Sequence, residues 1–289
     1  MTRQRGVALL TVLWLVGLLT LLVGGYSLLV RTEVQLARQQ VQQQQARLLA
    51  EAGVALTLRQ LLQPGSEALQ WGRDGAPHPL RLEPGELQLE VRDASGYIDL
   101  NRAQRPLLAA LLRHLEVPFE ARQRLLDRIL DWRDADDLVR LQGAERRDYL
   151  AEGRQYGPKN DGFERVDELL WVPGMDAALL ARARPYLTLY SGRDGVNPRA
   201  ASPAMLKLLT ANDEALVADI LAARRQGGRL GRLAQPTAGD SGRLQLQVRA
   251  QVDGGARAEL RVVAELLPGQ GQYRILAWES APVTWQQGG

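Results

Sequence analysis

The amino-terminal stretch of the chain is a long apolar segment. No charged residue occurs from Val7 to Val30, whereas Arg3 and Arg5 precede this run and Arg31 follows it. An α-helix rises about 1.5 Å per residue, so the run would extend roughly 36 Å, which is enough to cross the core of a bilayer. The segment is therefore predicted to span a membrane. The two arginines in front of it favour a cytoplasmic amino terminus.

The helical pattern continues beyond the apolar run. From Arg31 to Leu62 the chain has no proline, a single glycine at Gly53, and many helix-forming Gln, Arg, Leu and Ala residues. We expect one continuous helix over residues 7–62, roughly 84 Å long, that ends at Pro64-Gly65. Apolar residues recur at seven-residue intervals along its second half and form a stripe on one face, namely Val34, Val41, Leu48, Ala55 and Leu62.

A period of two residues predicts strands in two separate parts of the chain. Apolar and polar residues alternate from Gly85 to Val91, and residues 97–101 form a second candidate extended piece. The alternation returns after Gly242 in two runs that are separated by the turn Asp253-Gly254-Gly255, which is typical of a hairpin. Gln272 to Trp278 is predicted to be a further strand.

The region between these strands has helical spacing. Leucine and isoleucine residues recur at helical intervals after Arg105-Pro106, and Ser202-Pro203 is a typical helix start. Helices are predicted near residues 105–115, 120–132, 166–170, 176–186, 203–209 and 214–225. The fold class is therefore α+β. A small antiparallel sheet (residues 63–101 and 236–289) is interrupted by an all-α insert (residues 102–235) of about 130 residues, near ordinary domain size.

Composition excludes several classes of chemistry. Hydrophobic residues make up 45% and charged residues 24% of the chain, which is typical of a folded protein. The absence of cysteine excludes disulfides, zinc–thiolate sites, iron–sulfur clusters and a cysteine nucleophile. The only histidines are His78 and His114, and no serine lies in a recognisable nucleophile motif. We therefore expect a protein that is not an enzyme. The net charge of +3 is a small surplus that argues only weakly for nucleic acid.

Three interpretations of the amino terminus compete. A secretory signal peptide would have a shorter apolar core followed by a small-residue cleavage site, and a plain anchor with a coiled-coil stalk would fit the length. The third rests on Arg3-Gln4-Arg5-Gly6, which is followed at once by Val7-Ala8-Leu9-Leu10-Thr11. This junction resembles a type IV prepilin leader. The resemblance implies cleavage between Gly6 and Val7 by a prepilin peptidase, with methylation of the new amino terminus.

One position departs from the usual pilin pattern. Most members of that family carry glutamate at the fifth position after the cleavage site, where this chain has Thr11. In the family this carboxylate pairs with the terminal amine of a neighbouring subunit inside the apolar bundle, where an unpaired charge would be costly. Its absence is similar to the K-type minor pseudopilin of type II secretion, general secretion pathway protein K, which lies at the fibre tip.

The interior of the chain extends the resemblance over nearly its full length. Family-like patterns occur in the predicted insert, at Asp131-Trp132-Arg133-Asp134-Ala135-Asp136, Gly143-Ala144-Glu145, Tyr149, Tyr156, Asn160, Val166-Asp167-Glu168-Leu169, Val172-Pro173-Gly174-Met175 and Val196-Asn197. The resemblance implies a pilin-like fold, in which the long amino-terminal helix packs on the small sheet and carries a large helical domain inserted in it. Arg146 and Arg147 stand where more acidic residues would be expected.

The resemblance also implies a function and a location. The chain would be a minor pseudopilin that caps the tip of the periplasmic pseudopilus and helps to start its assembly. It would be held in the inner membrane by a single span, with its bulk in the periplasm. The partners implied are the I-type and J-type minor pseudopilins, the prepilin peptidase, the inner-membrane secretion platform and the secreted substrates.

Four carboxylates lie close together at the predicted end of one helix, namely Asp131, Asp134, Asp136 and Asp137. A hard cation, above all calcium, would relieve their mutual repulsion. The EF-hand pattern is absent, because Leu138 and Val139 occupy a ligand position and the glycine position of that loop. The alternative is an acidic helix end in solvent, balanced by Arg133 and Arg140. The resemblance implies calcium in the inserted domain, although no cofactor is required by the rest of the chain.

A different class of function rests on Leu170-Trp171-Val172-Pro173-Gly174-Met175. This segment and the Ala-rich helix after it resemble a helix-hairpin-helix turn, which can offer backbone N–H groups to DNA phosphates. A membrane-anchored DNA-binding protein for uptake is therefore the alternative hypothesis. Asp176 stands where the second glycine of such a turn would be, and a carboxylate there would repel phosphate.

The leader junction generates a direct prediction. Amino-terminal sequencing or intact mass of protein extracted from membranes should show a chain that begins at Val7 and is methylated on its terminal nitrogen. Gly6→Arg should block processing, because a bulky charged side chain does not fit a site that selects glycine. A mature chain that begins at Met1 or near Gly25 would contradict the leader assignment.

Overall fold

The computed structural model describes residues 5–63, 73–225, 239–267 and 271–281. The sequence-based expectations for Met1–Gln4 and Pro64-Gly65 lie outside these residues. Helix α1 runs from Arg5 to Leu62 and confirms that the apolar run continues as one long helix. Among the described residues it is the one helix long and apolar enough to cross a membrane, with a mean hydropathy of 2.1 over its most apolar window. Its residues from Leu9 to Val23 are all exposed.

The second half of α1 packs on a sheet through a single face. Small and branched residues at helical spacing are buried there, namely Ala46, Leu49, Ala50, Val54, Leu58 and Leu61. At Gly53 a Cβ atom would lie 2.9 Å from Val248 Cγ1, so the absence of a side chain lets the helix approach the sheet closely. The seven-residue stripe lies elsewhere on the helix. Val34, Val41 and Leu48 are 43%, 57% and 61% exposed.

The sheet has five strands in the order β1-β2-β5-β6-β7, all antiparallel. They are β1 (Asp74–Leu82), β2 (Gly85–Asp93), β5 (Arg243–Val252), β6 (Arg257–Leu267) and β7 (Gln272–Ala281). The alternating apolar residues of β2, β5 and β6 all face α1, which confirms the strand predictions. Strand β1 was not predicted. It contains Pro77 and Pro79, which an edge strand tolerates because one side of it makes no ladder hydrogen bonds.

The position of the helical insert follows from the register of two neighbouring strands. Asp93 at the end of β2 is paired with Leu244 at the start of β5, so the chain leaves and re-enters the sheet at adjacent points. Asp93 Oδ1 accepts hydrogen bonds from the backbone N–H of Ser95 and from the N–H and hydroxyl of Ser241. Arg92 donates to the carbonyl of Ala200 at 3.0 Å. These contacts hold the base of the insert against the sheet.

The insert contains helices α2 (Arg105–His114), α3 (Phe119–Arg133), α4 (Arg146–Ala151), α5 (Ala177–Ala183), α6 (Pro203–Leu209) and α7 (Glu214–Arg225). A 3₁₀ helix covers Val166–Trp171. Every one of these helices except α4 was predicted from the spacing of the apolar residues. Ser202 Oγ accepts from the N–H of Met205 at 3.1 Å and caps α6 as expected. The insert has its own core, separate from the one beneath the sheet, with Trp132 and Tyr149 among its fully buried side chains.

Two short strands belong to the insert. Strand β3 (Ile98–Asp99) pairs in parallel with β4 (Leu187–Thr188). Ile98 and Leu100 are buried in the core of the insert, whereas the sequence grouped residues 97–101 with the sheet. The helical part therefore begins packing directly after β2. The limits of residues 63–101 and 236–289 for the β part stay a prediction.

The packing of α1 generates a matched test. Leu58 is 1% exposed and Leu48 is 61% exposed on the same helix. Leu58→Ala should lower the free energy of unfolding by about 2–5 kcal/mol, because it removes apolar burial and leaves a cavity against the sheet. Leu48→Ala should change it by no more than about 0.5 kcal/mol. Denaturant unfolding of the full chain in detergent micelles measures both, and equal effects would contradict the assignment of the buried face.

Candidate functional site

The acidic cluster is organised around Asp131, in the last turn of α3. Its side chain is fully buried, and Oδ1 accepts a hydrogen bond from Arg140 Nη1 at 2.6 Å. Oδ2 accepts from the backbone N–H of Ala144 at 3.0 Å and of Arg140 at 3.3 Å. Burial raises the pKa of the Asp131 carboxyl against these hydrogen bonds, which favour its ionised form. Asp131 thus ties the loop over residues 137–145 to the end of the helix.

The loop that follows α3 requires its glycine. A Cβ atom on Gly143 would clash with Asp131 Oδ2, so the buried carboxylate would have to move away from the N–H groups that it binds. The residue before this glycine is held by a second buried carboxylate, because Asp127 Oδ2 accepts from the N–H of Gln142 at 3.1 Å. Asp127 also pairs with Arg105 of α2. The sequence Gly143-Ala144 therefore lets the chain pass close over two carboxylates of one helix.

The structure separates the four predicted calcium ligands into two kinds. Asp131 and Asp134 converge on one guanidinium, since Arg140 Nη1 pairs with Asp131 Oδ1 and also with Asp134 Oδ2. Asp136 and Asp137 are exposed and shape the loop. Asp136 Oδ1 accepts from the N–H of Leu138 at 2.9 Å, and Asp137 Oδ1 accepts from Asn160 Nδ2 at 2.8 Å.

Glu145 is a cluster member that the ligand prediction omitted. Its side chain is 7% exposed, and neither carboxylate oxygen has a hydrogen-bond partner. Burial raises the pKa of Glu145 to about 7, and the negative charges of Asp131, Asp134, Asp137 and Asp136 add to the rise. The motif Gly143-Ala144-Glu145 was the feature of the sequence that could have identified Glu145 as a candidate ligand. Burial of the carboxylate could not be read from that motif.

Two further oxygens near these carboxylates lack partners. Asp134 Oδ1 and Asn160 Oδ1 are buried and accept no hydrogen bond. Together with the oxygens of Glu145, they form a set of hard, largely anionic donors of the kind that calcium prefers. Within the described parts of the chain, no three Asp, Glu or His side chains are already arranged to hold a metal ion. The donor chemistry therefore fits a hard cation, although Arg140 already neutralises part of the cluster.

The predicted processing and assembly positions lie together at the start of α1. Gly6 and Val7 fall in its first turn, and Thr11 lies about one turn further along. Thr11 is on an exposed part of the helix.

The helix-hairpin-helix segment is arranged for packing. Val172 is fully buried, and Gly174 adopts φ of +98°, which favours glycine. Asp176 caps α5, with its Oδ1 accepting from the N–H of Leu179 at 2.7 Å. A carboxylate thus occupies the helix amino terminus that a DNA phosphate would need. This arrangement argues against the DNA-binding alternative.

The histidines do not form a reactive pair. His114 Nε2 lies 3.1 Å from the hydroxyl of Tyr186, and burial lowers the pKa of His114. His78 lies on the edge strand β1, in the other part of the fold.

Comparison with known proteins gives a consistent result. Residues 88–192 match the family described as type II secretion system (T2SS), protein K. The type II secretion system protein K of Pseudomonas aeruginosa is 30% identical over 247 residues, which cover 78% of this chain and 74% of that protein. The protein of the same name from Aeromonas hydrophila is 30% identical over 236 residues, covering 72% of this chain and 71% of that protein.

The fold has a counterpart among solved structures. The chain is similar to one chain of the crystal structure of the GspK–GspI–GspJ complex from the type 2 secretion system of enterotoxigenic Escherichia coli. The TM-score is 0.62 at 20% identity, covering 86% of this chain and 99% of that chain. This likeness supports the pilin-like α+β fold with its helical insert. With the sequence match over most of the length of the Pseudomonas protein, it leads to one conclusion: this chain belongs to the type II secretion system protein K family.

Proposed function

We propose that this chain is the minor pseudopilin that caps the tip of a type II secretion pseudopilus and helps to start its assembly for protein export. The observation that carries the proposal is the helical domain inserted between the paired strands β2 and β5. The chain leaves β2 at Asp93 and enters β5 beside it, at Leu244. A subunit within a fibre shaft must accept neighbours on both sides. A domain-sized insert at one end of the sheet would block the addition of a further subunit.

The two faces of α1 support incorporation into a fibre. One face is covered by the sheet of the same chain, through Val54 and Leu58. The other carries Val34, Val41 and Leu48, whose side chains are exposed over roughly half their surface. An apolar stripe opposite a packed face is suited to the helices of neighbouring subunits, because helix faces at this spacing pack side by side. The solved structure that has one chain of similar fold is a GspK–GspI–GspJ complex. We propose the I-type and J-type pseudopilins as partners of this chain.

Helix α1 and the arginines before it support our proposal for the membrane location. The apolar half of the helix spans the inner membrane, with Arg3 and Arg5 on the cytoplasmic side and the sheet and insert in the periplasm. Thr11 places no carboxylate in the apolar bundle. A tip subunit needs none there, because no subunit above it presents an amine to be neutralised. In this role the chain contributes packing surfaces, and it needs no catalytic group.

The tip position is tested by imaging. Antibody against the insert, carried on gold, should label purified pseudopili at one end only. Labelling at regular intervals along the shaft would contradict the proposal.

A second experiment tests the insert as the cap. Replacement of residues 95–242 with a short glycine-containing turn should join β2 to β5 as a simple hairpin, because the two strands are already paired in register. Pseudopili formed with this variant should be longer than those of the wild type. Phe119→Ala, which changes one exposed side chain of the insert, serves as the control and should leave the length unchanged.

We also propose that the acidic cluster binds one calcium ion. Glu145, Asp134 and Asn160 would hold it through their buried oxygens without partners, with Asp137 adjacent through its hydrogen bond to Asn160. The ion would neutralise the charge that Arg140 leaves uncompensated. This ligand set differs from the four aspartates suggested by the sequence. Asp131 is left out, because it already accepts hydrogen bonds from Arg140 and Ala144.

Calcium removal provides the test. A ligand that binds only the folded state stabilises it by RT ln(1 + [L]/Kd), roughly 2.7 kcal/mol at a hundredfold excess over Kd. Adding a chelator to the full chain in detergent micelles should therefore lower its melting temperature. Glu145→Gln combined with Asp134→Asn should abolish this shift. Glu120→Gln, an exposed residue on α3, should retain it. Equal melting in chelator and in millimolar calcium would contradict the site.

A further inference from the structure

The insert contains a cavity that the acidic cluster and α1 do not use. Its volume is about 710 Å³, within the range of ligand-binding pockets. It lies between the end of α3, the segment after α4 and the 3₁₀ helix Val166–Trp171. We call it the aromatic cavity, after Trp132, Tyr156 and Trp171 in its wall.

The aromatic rings of this wall are held in place before any ligand binds. The ring centroid of Trp171 lies 6.2 Å from that of Trp132 and 6.3 Å from that of Tyr156. The hydroxyl of Tyr156 donates to the carbonyl of Trp171 at 3.2 Å and accepts from Arg154 Nη1. Trp171 is nevertheless 55% exposed and Leu170 is 40% exposed. A fixed, solvent-exposed aromatic surface of this kind loses little entropy when a partner covers it.

Lys159 and the three carboxylates of the cavity wall are already paired, and Arg165 is the remaining charged residue of the wall. Lys159 Nζ lies 3.0 Å from Glu164 and 3.5 Å from Glu168. Asp167 pairs with Arg184. Glu168 also accepts the backbone N–H groups of residues 164 and 165. Each of the three carboxylates that line the cavity thus has a partner, so the site favours an uncharged ligand over a cation.

The local structure of the wall narrows the class of ligand. Addition of a strand requires a free sheet edge, but the lining residues lie in an α-helix, a 3₁₀ helix and loops. Recognition of a phosphorylated ligand requires a cluster of free arginines, whereas the residues that line this cavity include a single arginine, Arg165. An amphipathic helix requires an apolar groove over several turns, whereas most of this wall comes from one short loop and a six-residue 3₁₀ helix. Rigid tryptophan and tyrosine rings around an apolar groove match the recognition of a polyproline II segment.

We propose that the aromatic cavity binds a proline-containing segment of another polypeptide, in the extended polyproline II conformation. The proline rings lie against Trp171 and Tyr156, and Leu170 covers one side. Such a segment is already extended, so it loses little conformational freedom on binding. The cavity thereby gives the insert a binding role beyond that of blocking subunit addition.

Binding of a fluorescein-labelled decaproline peptide tests this proposal. Fluorescence anisotropy with the full chain in lipid nanodiscs should show saturable binding, and a Gly-Ser peptide of equal length should not bind. Trp171→Ala should weaken binding at least tenfold. Leu170→Asp, which places a charge at the exposed edge of the cavity, should weaken it as well. Phe119→Ala changes an exposed aromatic residue outside the cavity and should leave the affinity unchanged.

The contrary outcomes are equally definite. The proposal would be overturned if decaproline showed no saturable binding at millimolar concentration, or if the Gly-Ser peptide bound equally well. It would also be overturned if both cavity variants bound decaproline with the affinity of the wild type. Binding of a chitin oligosaccharide without binding of decaproline would replace the peptide with a glycan and would also overturn it. Thermal melts should show a cooperative folded state for both variants at the temperature of the binding experiment, so that weaker binding is not loss of the fold.

Discussion

The pairing of β2 with β5 is the constraint on which the rest of the structure depends. These strands are neighbours in the sheet but lie far apart in the chain, and their register brings Asp93 beside Leu244. Since the chain leaves and returns at adjacent points, β2 and β5 can pair whatever the size of the insert. The insert can then build its own core. Asp93 reinforces this junction, because it binds both the first turn of the insert and Ser241 at its end.

Helix α1 serves two environments with one sequence. Its first half is apolar on all sides, which suits a bilayer, whereas its second half buries one face against the sheet. Gly53 allows that close approach. The remaining apolar stripe has no counterpart within the described chain, which is the expected state of a subunit whose helix packs among others. The same helix therefore joins membrane insertion, folding and assembly.

The acidic cluster shows how buried charge is distributed within the insert. Asp131 is fully buried, and burial of a carboxylate is tolerated because Arg140 and two backbone N–H groups satisfy it. Arg140 extends its pairing to Asp134. Glu145 receives no such partner, and its raised pKa reflects both its burial and the aspartates around it. The cluster thus contains a cation, Arg140, that neutralises two aspartates, and a buried carboxylate, Glu145, that has no such partner.

Much of the fold was predictable because its signals are local. The apolar run of α1, the alternation along β2 and β5, and the cap at Ser202 depend on neighbours in the chain, so the sequence alone determined these elements. Strand β1 was missed because Pro77 and Pro79 hide a strand that only pairing with β2 creates. The exposed side of the Val34–Leu48 stripe, the position of Arg140 between two aspartates and the burial of Glu145 were decided by the tertiary structure. Each of them depends on distant segments meeting, and a period along one segment carries no information about what covers it.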